Sequence, residues 1–285
     1  MRESDMPVLL LTFYERRMSY MPINIVVTDN YGEMSKFAAS KVAHLVDKKT
    51  KAVLGLPTGS TPLGMYQELI KMHKQGLISF RDVITFNLDE YVGINPDNQN
   101  SYHRYMYENF FNHIDIDPDN IHILDGNAPD LEQECRDYEE KITRSGGIDL
   151  VILGLGRNGH IAFNEPGPFF SPVTHKVSLE QSTIEANARF FQSISQVPKY
   201  ALTMGIGTIM RSRSIMLLAS GDEKKRAVKE SVEGPVTPHV PASVLQLHPE
   251  VTFVLDKDAA SLLDKSRMRS CQKDKVSLLY GGKNK

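Results

Sequence analysis

The sequence predicts an α/β fold, a mostly parallel sheet with helices on both faces. Short apolar blocks alternate with amphipathic stretches along most of the chain. Three of those blocks run into polar turns that belong at one sheet edge. The 285 residues, 41% hydrophobic and 24% charged, suffice for a sizeable core.

Taken in order, the first apolar block predicts a strand at 23–28, and the amphipathic stretch behind it a helix at 31–48. A second strand, 51–56, runs into a turn where Pro62 suits the first position of a helix over 62–75. The same alternation predicts a strand at 83–88, a helix at 99–112, a strand at 121–124 and a helix at 130–144. The run at 149–153 is a short continuous apolar block, the kind buried on both faces of a parallel sheet. Further strands are expected at 214–219 and 251–255, and helices at 222–232 and 242–247. No repeat, linker or charge block divides these elements, so one domain is expected over 21–264.

Residues 1–20 read as an extension. Their apolar run, 7–14, is too short for a membrane anchor, is flanked by Glu3, Asp5, Glu15, Arg16 and Arg17, and has no small-residue cleavage site. Met18 and Met21 are alternative starts. The tail, 265–285, is basic and carries Gly281 and Gly282, so its end is expected to be loose. A net charge of −2 gives no case for nucleic acid or an anionic membrane as a partner. Two widely separated cysteines, Cys135 and Cys271, argue against a disulfide scaffold and for a reducing, cytoplasmic compartment. Cys135 falls in an amphipathic stretch and reads as packing.

Chemistry concentrates in GLGRNGHIAFNEPG, 154–167. Gly154, Gly156 and Gly159 spell GxGxxG, but a dinucleotide fingerprint needs a helix opening at the third glycine, and Pro166, Gly167, Pro168 and Pro172 forbid a long one. The alternative is a catalytic turn that presents His160 and Glu165. A plain hydrogen-bonded turn His with a solvated Glu is the bland reading.

The turn GLPTGSTP, 55–62, looks like an anion cradle, with Gly59, Ser60 and Thr61 at a helix start. Without the P-loop lysine it suits a small phosphorylated metabolite, although a capped strand–helix turn needs the same residues. The third strand ends in TFNLDEYVG, which places Asp89 and Glu90 at the same edge. A dry Asp beside an acidified C–H is a base; in a loop it is only a cap. Arg189 and Lys224 are two further cations that would complete an anion pocket, while Lys225 and Arg226 face solvent. His239 and His248 lack the spacing and companion ligands of a zinc site, so no metal is expected.

LGLPTGSTP, TFNLDEYVG, GHIAFNEP, NARFF, VPKYALTMGIGT and LQLHP together, in this order, resemble the glucosamine-6-phosphate deaminase family from about residue 23 to 263. The resemblance implies a single Rossmann-like domain without metal or redox cofactor. Its expected reaction converts glucosamine 6-phosphate and water to fructose 6-phosphate and ammonia. By motif, Asp89 matches the group that moves a proton between C2 and C1, His160 the group that opens the pyranose ring, and Glu165 the residue that orients and polarises that imidazole. Gly59, Ser60, Thr61, Arg189 and Lys224 match the phosphate-binding positions.

Two departures stand out. Well-known members carry Asp where this chain has Asn158, which can orient the ring of His160 by hydrogen bonding but supplies no charge. The basic activator patch of allosteric hexameric members is here His175-Lys176-Val177-Ser178. No activation by N-acetylglucosamine 6-phosphate is therefore expected, and the choice between a monomer and a homo-oligomer stays open. Residues 168–198 are expected to form a lid over the sugar. Rival readings are a galactosamine-6-phosphate deaminase, a 6-phosphogluconolactonase and a non-catalytic sugar-phosphate-binding regulator.

Overall fold

The computed structural model describes residues 23–188, 191–264 and 269–270. The 1–20 extension, Arg189, Cys271 and the end of the tail lie outside the described residues. The main sheet is wholly parallel. Its strands are β1 (Asn24–Thr28), β2 (Val53–Leu56), β3 (Ile84–Asn87), β5 (Ile121–His122), β6 (Leu150–Gly154), β9 (Ser214–Ala219), β10 (Val251–Asp256) and β11 (Arg269–Ser270). They run in the order β11-β1-β10-β9-β6-β2-β3-β5. Side chains alternate across the strands, Val53 to one face and Leu54 to the other, Ile215 to one and Met216 to the other, and each set lies in its own apolar core.

One face is covered by α1 (Tyr31–Lys48), α2 (Leu63–Lys74) and α3 (Tyr102–Asn109). α1 begins where the Asn30 side chain accepts from the Glu33 N–H, and it buries Met34, Ala38, Val42 and Val46, a stripe at helical spacing. The other face carries α4 (Leu131–Arg144), α6 (Ile206–Met210), α7 (Lys225–Glu233) and a 3₁₀ segment, Pro241–Leu247. Asp149, buried at the amino-terminal edge of β6, ties this framework together. It accepts from Lys49 at 2.7 Å and the Val53 N–H at 2.8 Å, and Arg213 lies at 3.1 Å.

From β2 the chain winds outward through β3 and β5, then returns to β6 and winds the other way through β9 and β10. The direction reverses between β2 and β6, so a crevice opens beyond the carboxyl ends of those two strands. That switch point positions the site.

Several expectations are revised. The block 83–88 does not end the third strand in a loop. At Leu88 the N–H still bonds Leu56 at 3.2 Å, while its carbonyl accepts from Met204 at 2.7 Å, and the chain changes sheets. Asp89 therefore opens β4 (Asp89–Tyr91), which joins β8 (Tyr200–Thr203) and β7 (His175–Ser178) in a small antiparallel sheet. Strands this short, one of them carrying two carboxylates, give no alternation to read. The expected lid, 168–198, accordingly contains β7 and a seven-residue helix, α5 (Gln181–Asn187). The expected helix at 99–112 is α3 followed by a 3₁₀ turn, and that at 242–247 is 3₁₀ throughout. At the start of the tail, Arg269–Ser270 pairs with Val26 and Val27 of β1.

Candidate active site

A cavity of about 1200 Å³ occupies the switch point. It brings together Gly59, Ser60 and Thr61 after β2, Asp89 on β4, Asn158 and His160 after β6, and Lys224 after β9. Glu165 stands behind the imidazole, its side chain 5% exposed. Of the nine residues predicted from sequence, only Arg189 lies outside the described residues.

The 57–61 turn is built by aromatic residues that sequence reading missed. Tyr66 donates to the Pro57 carbonyl at 2.6 Å, Tyr105 to the Gly59 carbonyl at 2.6 Å and Tyr31 to the Ser60 carbonyl at 3.1 Å. Three carbonyls that would repel an anion are thus occupied, and Gly59 turns between them at φ +96°. Burial pushes the Tyr66 and Tyr105 hydroxyls well above their ordinary pKa, so they remain neutral donors. The side-chain cap that the same residues could have formed on α2 is not made. Pro62 sits at the cap position without a side-chain bond, and the Gly64 N–H donates to the Tyr31 hydroxyl at 2.8 Å. Start-of-helix N–H groups that the protein leaves to a ligand suit an anion.

Asp89 is buried, and its pKa is pushed up to about 8, by burial first and by the Glu90 charge second. Glu90 has a different task. Its carboxylate accepts from the N–H groups of Tyr91 at 2.8 Å, Tyr102 at 3.0 Å and His103 at 2.8 Å, which caps the start of α3. Burial nevertheless raises its pKa against those bonds.

In the third turn, Gly156 lies under the imidazole: a Cβ there would clash with His160 Nδ1, so only glycine admits this ring position. The imidazole Nδ1 is 3.2 Å from Glu165 Oε2, close but out of line for a good hydrogen bond, which leaves that nitrogen without a formal partner. Asn158 differs from expectation. It does not bond the ring; its Nδ2 donates to Glu165 Oε2 at 2.9 Å and its Oδ1 accepts the His160 backbone N–H at 3.2 Å. Thr183 donates to Glu165 Oε1 at 2.5 Å. Burial alone would raise the Glu165 pKa, but His160, Thr183 and Asn158 together bring it below the usual range, so it stays ionised. No helix follows Gly159; instead Asn164 pins the turn by donating to the carbonyls of Ile161 at 3.0 Å and Met204 at 2.8 Å.

The remaining polar candidates have structural partners. Lys225 pairs with Asp222 at 2.7 Å and Arg226 with Glu230 at 2.8 Å at the surface. His248 is buried and bridges the Ser212 carbonyl and the Glu250 N–H. Burial raises the Cys135 pKa to about 11, which suits a packed thiol.

A doubly covered parallel sheet, with an anion cradle, a dry carboxylate and an imidazole–carboxylate pair at its switch point, has the architecture of sugar-phosphate enzymes. The chain belongs to the family Glucosamine-6-phosphate isomerases/6-phosphogluconolactonase, whose model matches residues 29–254. Within it, the chain is 56% identical over 241 residues to a glucosamine-6-phosphate deaminase of Thermoanaerobacter pseudethanolicus, covering 85% of this chain and 95% of that one. It is 57% identical to one of Halothermothrix orenii, covering 85% and 100%. A solved monomeric glucosamine-6-phosphate deaminase superposes with TM-score 0.83 at 49% identity, covering 85% of this chain and all of the other. A 6-phosphogluconolactonase from Trypanosoma brucei, at TM-score 0.69 and 22% identity over 86% of this chain and all of that one, shares the fold.

Proposed function

We propose that this chain is a glucosamine-6-phosphate deaminase, acting on a free sugar phosphate in the cytoplasm without nucleic acid or membrane as partner. The observation that carries the reading is Asp89: a buried carboxylate with its pKa near 8 in the same cavity as the anion cradle and His160. The substrate phosphate sits at Gly59, Ser60, Thr61 and Lys224, with Arg189 joining by motif. His160, polarised by Glu165, passes the O1 proton to the ring oxygen and opens the pyranose. The C2 ammonium of the bound sugar is the counter-charge that draws Asp89 into its ionised form. Asp89 then takes the C2 proton and returns it to C1. Water adds at C2 of the ketose-level imine, and ammonia leaves as fructose 6-phosphate forms.

The deaminase relatives at 56% and 57% identity support this reading over a lactonase. The test is to incubate the protein with glucosamine 6-phosphate, galactosamine 6-phosphate and 6-phosphogluconolactone separately. Stoichiometric ammonia and fructose 6-phosphate from the first substrate is the expected result. Lactone hydrolysis without ammonia release would make the chain a lactonase, and preferred turnover of the galactosamine ester would reassign the epimer. Binding of all three without turnover would make it a regulator.

A further inference from the structure

Glu165 Oε2 meets two groups of its own turn, Asn158 Nδ2 and His160 Nδ1, whereas Oε1 is held from elsewhere, by the Thr183 hydroxyl at 2.5 Å. Thr183 is 4% exposed and belongs to α5, whose neighbours in the chain make up the segment expected to be a lid. The helix has a second polar tie: Asn187 Nδ2 donates to the Tyr91 hydroxyl at 2.9 Å, on the strand that carries Asp89. Between these ties Ile184 packs against the small apolar cluster of Tyr91, Phe163 and Leu179. α5 thus reaches both halves of the site, the imidazole pair through Thr183 and the enolising strand through Asn187.

From this geometry we infer that Thr183 is a positioning residue for ring opening, holding the outer oxygen of Glu165 so that the inner one stays against His160. A carboxylate bonded on one oxygen only can rotate about its last bond, and the 3.2 Å contact to the imidazole is already off-axis. The Thr183 hydroxyl closes that freedom and favours the charged carboxylate. Thr183 lines the same cavity, but its hydroxyl donates to Glu165, and the anion cradle and Lys224 are on other loops, so its role lies in chemistry and not in holding the phosphate. The inference rests on the deaminase reading of the site.

The experiment compares the unmodified protein with Thr183→Val, which keeps the shape and removes the hydroxyl, and with Thr183→Ser, which restores it. Thr183→Val should lower kcat for glucosamine 6-phosphate roughly ten- to a hundredfold, the worth of a hydrogen bond to a charged group. KM should stay near that of the unmodified protein, as should inhibition by the open-chain alditol of the substrate, which needs no ring opening. Thr183→Ser should recover most of kcat. An unchanged kcat in Thr183→Val, a loss confined to KM, a weakened alditol inhibition matching the loss in kcat, or equal losses in both variants would each overturn the inference. Absence of ammonia release by the unmodified protein would instead overturn the deaminase reading itself.

Discussion

Asp89 shows most clearly how function sets against stability at a single residue. Burial raises its pKa to about 8 from an unfolded value near 4, so the folded state holds a proton that the unfolded state has released. For a carboxyl raised in this way the favourable state is the protonated one. Its contribution is fully present below about pH 4 and is lost as pH rises toward and through about 8. Asp89→Asn, which is neutral at every pH, should raise stability at pH 8 in urea unfolding by up to an amount on the order of 5 kcal/mol, about 1.4 kcal/mol for each pH unit between the two values, and abolish turnover. An unchanged or lowered midpoint would show the carboxyl to be better solvated than the fold implies. In the intact enzyme kcat/KM should fall as pH drops through about 8, because the free base is consumed. Asn158 provides a second test. Replacing it with Asp removes the donor to Glu165 and sets a like charge 2.9 Å from it, so the Glu165 pKa should rise in a carbon-detected NMR titration. Ala162, at φ +48°, is the one described non-glycine residue in the left-handed region, and it lines the cavity. Ala162→Gly should relieve up to about 1 kcal/mol of strain.

At the level of elements, the site depends on aromatic and capping contacts that come from far along the chain. Tyr31 is on α1, Tyr66 on α2 and Tyr105 on α3, yet all three hold the one turn after β2. Tyr105→Phe should raise KM several-fold with little change in kcat and cost about 1 kcal/mol of stability, since it frees one carbonyl of the cradle. A change in kcat alone would contradict that placement. The turn residues themselves, Gly59, Ser60, Thr61, Asp89, Asn158 and His160, were legible because they cluster in short polar stretches at strand ends. Their supports were not. A tyrosine at helical spacing reads as core, Glu90 reads as a twin of Asp89, and nothing local marks Thr183 as a partner of a residue 18 positions earlier. Most of the main sheet was legible for the converse reason: strands such as β6 and β9 are apolar over nearly their whole length, whereas β4, β7 and β8 are three or four residues long.

Across the whole molecule, two windings that diverge at β2 and β6 create the crevice, and the small antiparallel sheet closes its side with Asp89 at the seam. Among the described residues no helix is long and apolar enough to cross a membrane. The 175–178 segment, expected from sequence to correspond to the activator patch of allosteric members, is strand β7, with the Lys176 ammonium 4.6 Å from the centre of the Tyr200 ring. Saturation by glucosamine 6-phosphate should therefore be hyperbolic and unaffected by N-acetylglucosamine 6-phosphate. Sigmoidal kinetics relieved by that compound would show an activator site elsewhere. The most direct measurement is turnover of glucosamine 6-phosphate in deuterated water by the unmodified protein and by Asp89→Asn. The account predicts ammonia release with the C2 hydrogen carried to C1 of the fructose 6-phosphate, deuterium entering C1 only as far as the Asp89 carboxyl exchanges with solvent before returning its proton, and loss of turnover in the variant while it still binds the sugar phosphate. Ammonia release at an unchanged rate by Asp89→Asn would contradict it, because the proton between C2 and C1 would then be carried by another group.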